Sequence, residues 1–581
     1  MKKNILVGCL AIAAIAAWGG SPEAPISPPS PELWYWHHSY LTSEDAVAKS
    51  EELIDKAAKA GYTGVVFWDS SFNFMGNPSW PKDNEDRMKE VMKYANHKHM
   101  KAVASVAPFG WSNDVLGVDP NWAESQRVVG AEFQVVASGK ALHFMNSFPG
   151  LKNGDFEAGK TGWFDTNDQG IGITENAHGG KSAAAIVDAA GNGRLHQEIK
   201  LIPWRQYHLR LFFKSINFLG GPMVEIFESG NSEKLRMIAY PHANGTHDWT
   251  ELDYSFNSGD TKDASLYLGV WGGSKGVLLF DDILLEERAL VYVEHSAGAP
   301  FKLYDPANPA KVYQEGVDYN RVVDPPMVAP QVNAFHNSYH WPPDITLPAG
   351  THLVPGQTVA ADYYAVFPIA FNNETAMCMS EPGVYRWLAA NAQAVKKVLP
   401  KEAATLLNYD EIRQANSCWA CRSRKMTAGE LLAWSVGKTA QIYQTALPGT
   451  DLYVWNDMFD PYHNAKDHVF HVEGDFAGSW KGLAADVSIM NWNLGALRQS
   501  LTWFSGHDPR QPIAHRQMIA GFYDRGNGAA EASKELKDAA GIPGVVGFMY
   551  TTYADDYSQL QSFADGARAA WPAYLASLPK R

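Results

Sequence analysis

Short apolar runs alternate with amphipathic segments in two separate parts of the chain. In the first part, the runs 32–38, 64–69 and 101–106 are rich in aromatic and β-branched residues and predict buried strands. Between these runs, residues 43–60 and 83–99 show the apolar spacing of helices. This order of elements predicts parallel βα units.

The same alternation returns near residue 381 and predicts five further strands. These strands are predicted at 403–407, 451–457, 486–492, 512–522 and 545–550, with helices at 381–399, 428–446, from 494, at 529–540 and at 557–575. Three strands before the interruption and five after it give the eight βα units of a (β/α)8 TIM barrel, an α/β fold. An open doubly wound sheet is the alternative, but no glycine-rich phosphate loop follows the first strand.

The interruption has a different pattern, with short alternating strands between Gly, Asn and Asp turns from 153 to 283. It predicts an antiparallel β-sandwich inserted after the third barrel strand. The predicted organisation is a signal peptide at 1–20, a linker at 21–31, a first barrel part at 32–149, the sandwich at 150–290, a return connection and lid at 291–380, and a second barrel part at 381–581.

Three motifs mark the insertion: NGDFE at 153–157 with Gly162-Trp163 after it, HDWTE at 247–251 and FDDI at 280–283. In combination they resemble the motifs of jelly-roll carbohydrate-binding modules. The resemblance implies a sugar-binding module that often holds a structural calcium, with Glu157 and Asp281 as weak candidate oxygen ligands. The candidate sugar platforms in the sandwich are Trp163, Trp204 and Trp271.

Composition narrows the class of ligand. The formal net charge of −14 argues against nucleic acid and anionic membranes, which select basic surfaces. The 20 Trp and 25 Tyr residues exceed what packing requires and favour planar ligands or sugars.

The N-terminus indicates export. Lys2-Lys3 precede an apolar run at 5–18 that is too short to span a bilayer and is typical of a secretory signal peptide. A lipoprotein box ending at Cys9 is the second interpretation. We therefore expect a periplasmic or extracellular protein without a membrane span.

Cysteine spacing gives a weaker signal. Cys418 and Cys421 form one CxxC motif, which without a second ligand pair is a poor indication of a redox or zinc site. In an oxidising compartment we expect a disulfide between them, or from one of them to Cys378.

Polar and aromatic residues follow most of the predicted barrel strands, and the carboxyl ends of such strands meet at one mouth. Asp410 and Glu411 end the fourth strand and are the candidate catalytic residues. The alternative is that Asp410 caps a helix and Arg413 neutralises Glu411. The predicted substrate-binding residues are Trp36, His37, Trp68, Asp69, Trp111, Asn113, Trp455, Asn456, Asp457, Asn491, Trp492 and Tyr550. The spacing of His463 and His468 matches no zinc motif, so we assign both to a solvated or sugar-contacting loop.

The adjacent Asp-Glu pair, in this order on the fourth strand, resembles that of β-N-acetylhexosaminidases that use substrate assistance. The seventh predicted strand, 513–518, offers no acid before Asp524, unlike retaining barrel glycosidases with a nucleophilic Glu there. The resemblance implies that Asp410 polarises a 2-acetamido group and that Glu411 is the acid/base. It also implies an acetamido pocket formed by Trp492, Tyr550 and Asp457.

The sequence therefore predicts a secreted glycoside hydrolase that acts on an oligo- or polysaccharide and requires no cofactor. One alternative is a conventional glycosidase that pairs Glu411 with Asp457 or Asp69. The other is a non-catalytic glycan-binding protein.

Overall fold

A computed structural model describes residues 26–580, apart from 78–79, 166–167, 233, 236, 329, 331–333, 336, 370–373, 467–470 and 525. The predicted signal peptide, Cys9 and His468 therefore lie outside the described residues. In the part of the chain that the structure describes, no helix is both long and apolar enough to cross a bilayer.

Eight parallel strands close into a barrel, because the first strand pairs with both the second and the eighth. Around the barrel and along the chain they are Glu32–His38, Gly64–Trp68, Lys101–Val106, Ala403–Leu407, Asp451–Trp455, Val487–Asn491, Gln517–Ile519 and Val545–Tyr550. Large side chains, among them Trp34, Tyr453 and Met490, fill the barrel interior as one buried cluster. The interior is thus a packed core, and a cavity opens at its carboxyl end.

The helices pack outside the barrel and share a larger apolar core with it. They are Glu44–Lys59, Ser70–Phe74, Lys82–His97, Asn113–Leu116, Pro382–Val395, Trp419–Ser423, Ala428–Ala446, Leu497–Trp503, Gly528–Asp538 and Leu560–Ser577. The helix Ala428–Ala446 begins with a capping box, in which Thr427 and Glu430 each accept a hydrogen bond from the other's backbone N–H.

The predicted (β/α)8 TIM barrel with one inserted sandwich is wrong as a description of this fold. Between the fifth and sixth strands, the described residues form only 3-10 turns at Asp457–Phe459 and Ser479–Gly482 and a short strand, with no α-helix. Glycines at 474, 478 and 482 interrupt that connection, which lacks an apolar helical stripe. Among the described residues, most strands outside the barrel belong to antiparallel sheets, and the helical layer lacks a helix between the fifth and sixth strands.

The described residues of 126–365, which we call the insertion, form two antiparallel sheet systems and extend beyond the predicted sandwich at 150–290. The first has strands Phe164–Asp165, Ile171–Thr174, Ala183–Val187, Gly193–Lys200, Gln206–Glu228, Met237–Ala239, Gly245–Asn257 and Asp263–Arg288. Its two long strands change register near Gly220 and Pro222, and its apolar side chains form a separate core.

The second sheet system joins residues from both ends of the insertion. Its strands are Gln126–Val135, Ala141–Phe144, Lys302–Asp305, Asn308–Tyr313, Ile345–Thr346 and Thr358–Ala365. Thr358–Ala365 pairs with two of the other strands, Lys302–Asp305 on one side and Gln126–Val135 on the other. The segment 291–380, predicted as a return connection and lid, therefore contributes four strands to a sheet with its own apolar core.

Closure of the barrel depends on a close backbone approach at Gly547. A Cβ atom at this position would overlap the backbone of Glu32 on the first strand. We expect Gly547→Ala to destabilise the barrel by about 2–3 kcal/mol, because the backbone has no space to relax. Differential scanning calorimetry of the full chain should show a lower Tm for the barrel transition. Gly172→Ala, in the insertion, is the control, because a Cβ atom added there would meet no heavy atom within 4 Å; equal Tm values for the two variants would contradict the expectation.

Candidate functional site

A cavity of about 810 Å³ opens at the carboxyl ends of the barrel strands. Its lining is dominated by aromatic side chains, with carboxylate, amide and guanidinium groups between them. The lining residues are Trp36, Trp68, Trp111, Asn408, Asp410, Glu411, Arg413, Trp455, His463, Trp492, Asn493, Leu494, Gly495, Ala520, Phe522, Thr551 and Tyr553. The volume suits a sugar-sized or somewhat larger ligand.

The end of the fourth strand is fixed from both sides. Tyr409 points outward, and its hydroxyl lies 3.0 Å from Ser435 Oγ and 2.8 Å from Thr439 Oγ1 on the helix Ala428–Ala446. The next residue, Asp410, therefore turns toward the cavity. At Gly110, a Cβ atom would overlap the Asp410 carbonyl oxygen, so the loop after the third strand needs glycine there.

Glu411 adopts a left-handed backbone conformation with φ of 46°. This conformation costs about 1 kcal/mol or more for a residue with a side chain and is concentrated at functional sites. The Glu411 N–H donates a 2.8 Å hydrogen bond to Asp457 Oδ2, which also accepts from Asn464 Nδ2 at 3.1 Å. The strained backbone at Glu411 is thus stabilised by the buried carboxylate of Asp457, which follows the fifth barrel strand.

Three carboxyl groups share this small region, and burial raises the pKa of each. Burial, and then the charges of Asp457 and Glu411, raise the pKa of Asp410 well above its usual range. Burial raises the pKa of Asp457 to about 6. Burial also raises the pKa of Glu411, although the Arg413 guanidinium opposes this effect. The site therefore favours a protonated carboxyl group near neutral pH.

Arg413 lies between two carboxylates. Its Nη2 is 3.0 Å from Glu411 Oε2, and its Nη1 donates to the buried Glu374. The Glu411 side chain keeps 27% of its surface exposed toward the cavity, whereas Glu374 keeps 1%. Glu411 is therefore the member of this group that a ligand can reach.

The aromatic walls are built from neighbouring strand ends. The rings of Trp36 and Trp68 stack with centroids 5.7 Å apart, and Trp455 packs against Trp36 at 5.5 Å. Trp455 Nε1 donates to Asn408 Oδ1 at 2.7 Å, which fixes that ring. On the opposite side, His463 packs edge-on against Trp492 at 4.2 Å, and burial lowers its pKa to about 4. The imidazole is therefore neutral at physiological pH.

The structure brings some of the predicted site residues together in the cavity. These are Trp36, Trp68, Trp111, Asp410, Glu411, Trp455 and Trp492. Asp457 lies behind the cavity wall, and its carboxylate accepts a hydrogen bond from the Glu411 backbone N–H. Asn456 supports the wall by accepting the Trp492 N–H at 2.9 Å, and Asn491 is fully buried beside it.

Other predicted substrate-binding residues do not line the cavity. His37 turns outward and lies 2.8 Å from Ser50 Oγ. Asp69 is buried and accepts hydrogen bonds from Ser39, Leu41 and Ser71, which position the loops after the first two strands. The Tyr550 hydroxyl donates to the Asp556 carbonyl oxygen, and Asn113 begins the short helix Asn113–Leu116.

Several cavity residues were missed by sequence reasoning. Asn408 precedes the acid pair and Tyr553 follows the eighth strand, so strand-end position was a usable signal for both. Arg413 was predicted as the residue that neutralises Glu411, which the structure confirms, but not as part of the cavity lining. Glu374 had no such signal, because it lies in the segment that returns from the insertion and contacts the site through Arg413.

The predicted sugar platforms of the sandwich differ in exposure. Trp163 is 5% exposed and packs on Phe156, so it is a core residue rather than a platform. The Arg127 guanidinium covers Trp204 at 3.4 Å from the ring centre, whereas Trp271 remains partly exposed.

The candidate calcium ligands of the sandwich are engaged with backbone groups. Glu157 accepts from the N–H groups of Lys181 and Ser182, and Asp281 accepts from those of His178, Gly179 and Asp282. A calcium role for these residues stays a prediction.

The predicted disulfide is wrong, since Cys378, Cys418 and Cys421 are all free thiols in the structure.

No family model matches the chain, and no curated protein matches it. Among solved structures, the chain is similar to a family 16 carbohydrate-binding module, with 18% identity over 23% of this chain and 97% of that chain and a TM-score of 0.19. It is also similar to the CBM22-1 xylan-binding domain from Paenibacillus barcinonensis Xyn10C, with 14% identity over 25% and 97% and a TM-score of 0.20. A third match is the K3 cleaved adhesin domain of Lys-gingipain from Porphyromonas gingivalis W83, with 13% identity over 23% and 98% and a TM-score of 0.19. At these TM-scores we draw no inference from the likeness.

The buried Asp457 predicts a particular dependence of stability on pH. Its pKa is about 6 in the folded protein against ~3.9 in an unfolded chain, so the folded state binds more protons between these values. Stability is therefore lost as pH rises from about 4 to about 6. Asp457→Asn removes this contribution, and its Tm relative to the wild type should rise from pH 4 to about pH 6 and then level off toward pH 7.

The matched control is Glu402→Gln, whose exposed side chain lies at the opposite end of the fourth strand. Thermal unfolding of all three proteins across this pH range measures the effect. A constant Tm difference between Asp457→Asn and the wild type would contradict the buried ionisation.

Proposed function

We propose that the protein is a glycoside hydrolase whose active site is the cavity at the carboxyl ends of the barrel strands. The observation that carries the proposal is Glu411, a partly exposed carboxyl group with a raised pKa, beside Asp410 in a cavity walled by tryptophans. Glycoside hydrolysis needs a carboxylic acid that stays protonated near neutral pH and aromatic faces that hold sugar rings. The apolar N-terminal run supports export of such an enzyme.

Glu411 is the proposed general acid. Its carboxyl O–H would donate a proton to the glycosidic oxygen while the bond from that oxygen to the anomeric carbon breaks. The resulting carboxylate would then take a proton from the water that completes hydrolysis. Arg413 lies 3.0 Å from Glu411 and would stabilise this carboxylate between the two steps.

Asp410 is the proposed partner of Glu411. Its Oδ1 atom is buried and accepts no hydrogen bond from the described residues, although the side chain lines the cavity. The Asp410 carboxyl group is part of the cavity lining, where the N–H of a 2-acetamido group would donate a hydrogen bond to it. The arrangement therefore supports substrate assistance, in which Asp410 orients the acetamido group and its carbonyl oxygen attacks the anomeric carbon.

The conventional two-carboxylate alternatives have less support. Asp69 is buried, and three donors from its own loops occupy its oxygens. Asp457 is fully buried and accepts the Glu411 N–H. Both residues support the site from behind rather than facing a substrate.

The first test is Glu411→Gln, which keeps the shape of the side chain and removes its transferable proton. We expect loss of general acid catalysis to lower kcat by about 100-fold or more on oligosaccharide substrates, with unchanged Tm and glycan binding. Reducing-sugar release from a glycan panel and glycan binding by calorimetry are the measurements.

Glu402→Gln is the control and should retain full activity. Wild-type protein that binds glycans without releasing sugar would make it a non-catalytic glycan-binding protein and overturn the proposal.

The second test is Asp410→Asn, assayed on N-acetyl-β-hexosaminides and on the matching plain β-hexosides. We expect kcat on the acetamido substrates to fall by about 10-fold or more, because the substituted amide orients the acetamido group poorly. Proton NMR should show that the wild type releases the β-anomer first. An inverted product, or wild-type preference for plain hexosides, would remove substrate assistance while leaving glycoside hydrolysis intact.

A further inference from the structure

Three thiols and one carboxylate meet in a buried cluster outside the cavity. The cluster consists of Glu124, Cys378, Cys418 and Cys421, whose ligand atoms all lie within 4.8 Å of one another. Cys378 Sγ is 3.2 Å from Cys418 Sγ and 3.5 Å from Cys421 Sγ. Cys421 Sγ is 3.3 Å from Glu124 Oε2.

The cluster lies where the chain leaves the barrel for the insertion and returns from it. The outgoing and returning segments run side by side: Glu124 N–H donates to the Ala376 carbonyl oxygen at 2.8 Å, and Cys378 N–H donates to the Trp122 carbonyl oxygen at 2.7 Å. Cys418 and Cys421 come from the short helix Trp419–Ser423 and the residue before it. Three distant parts of the chain therefore supply the four side chains.

Backbone N–H groups point at the cluster and favour negative charge on it. The N–H groups of Ser417 and Cys418 donate to Glu124 Oε1 at 2.7 and 2.9 Å. Those of Ser380 and Cys421 donate to the sulfur atoms of Cys378 and Cys418, each at 3.3 Å. Hydrogen bonds of this kind stabilise thiolate and carboxylate forms.

The described part of the chain gives this cluster no cationic side chain as a partner, since no lysine or arginine ion pair or hydrogen bond to any of the four residues occurs there. Buried charges in proteins are paired with opposite charges or coordinate metals. Four converging thiol and carboxyl groups without a cationic side chain among the described residues therefore fit a metal cation as their partner.

We propose that Cys378, Cys418, Cys421 and Glu124 bind one zinc ion. Three thiolates and one carboxylate oxygen give the four ligands of a closed tetrahedral site, and thiolates select zinc over calcium or magnesium. Four ligands around one zinc place sulfur atoms about 3.8 Å apart, which needs only small shifts from the observed distances. Bound zinc would join the outgoing segment, the returning segment and the loop after the fourth barrel strand.

A disulfide is the competing use of these cysteines. It would join two sulfur atoms and leave the third thiol and Glu124 buried together without a cation. The N–H groups aimed at two different sulfur atoms favour the thiolates that zinc requires over this arrangement.

The direct test counts metal and thiols in the same preparation. The full chain carrying Cys9→Ser is purified without reductant and dialysed in buffer with a trace of zinc. It should contain about one zinc per molecule by inductively coupled plasma mass spectrometry. After unfolding in EDTA it should show three reactive thiols. Replacement of zinc by cobalt should give the absorption of thiolate-coordinated cobalt. One reactive thiol with no bound metal, or three thiols that take up neither metal, would overturn the proposal.

Variants test which carboxylate completes the site. In the same Cys9→Ser background, Glu124→Gln should keep three thiols but bind zinc about 100-fold more weakly, measured by competition with a chromogenic chelator. Glu294→Gln is the matched control, because Glu294 is also buried nearby but hydrogen-bonds to Ser125 and Ser296. Zinc retention at full affinity by Glu124→Gln, or its loss in Glu294→Gln, would contradict the assignment even if a cysteine variant failed to fold.

Discussion

Arg413 reaches from the loop after the fourth barrel strand to a carboxylate in the returning segment of the insertion. On one side it contacts Glu411 at the cavity surface, and on the other it pairs with the buried Glu374. Burial raises the pKa of Glu374 well above its usual range, and the Arg413 guanidinium opposes this effect. Removing an ion from water costs several kcal/mol, so a Glu374 carboxylate depends on Arg413, and Arg413 depends on its two carboxylate partners. This mutual dependence fixes both the position of the acid at the cavity and the path of the chain that returns from the insertion.

The insertion is consequently part of the site rather than an appendage to the barrel. Gln414, next to Arg413, accepts from the Ala376 N–H at 3.4 Å and donates to the Phe367 carbonyl oxygen at 2.6 Å. The cysteine cluster lies on the same returning segment and the same loop. A displacement of the returning segment would therefore reach Glu411 through Arg413, whatever the two antiparallel sheets themselves bind.

The sequence was informative about the strands and much less so about the side chains at their ends. The apolar runs identified the eight parallel strands, and the Asp410-Glu411 pair stood out because adjacent acids at a strand end are unfavourable unless a function requires them. The direction of each neighbouring side chain depends on where the strand stops. A one-residue difference turns His37 outward to Ser50 and leaves Trp36 in the cavity.

Contacts between distant segments could not be predicted from local sequence patterns. Glu124 contacts Cys418, which is 294 residues away in the chain, and the six-stranded sheet takes its strands from both ends of the insertion. The described residues between the fifth and sixth strands form no α-helix, because the apolar residues there do not recur at helical spacing.

Three carboxyl groups persist in one place although their ionisation opposes folding. A protein selected only for stability would replace Asp457 or Asp410 by an amide, because each raised pKa is a cost near neutral pH. Asp457 offsets part of this cost by holding the strained Glu411 backbone. In both Asp410 and Asp457, Oδ1 is buried without a hydrogen-bond partner among the described residues, and an unpaired buried acceptor costs a further ~1–3 kcal/mol. The two residues differ in access: Asp410 lines the cavity, whereas Asp457 is fully buried and does not. This difference favours Asp410 over Asp457 as the group that would contact a substrate.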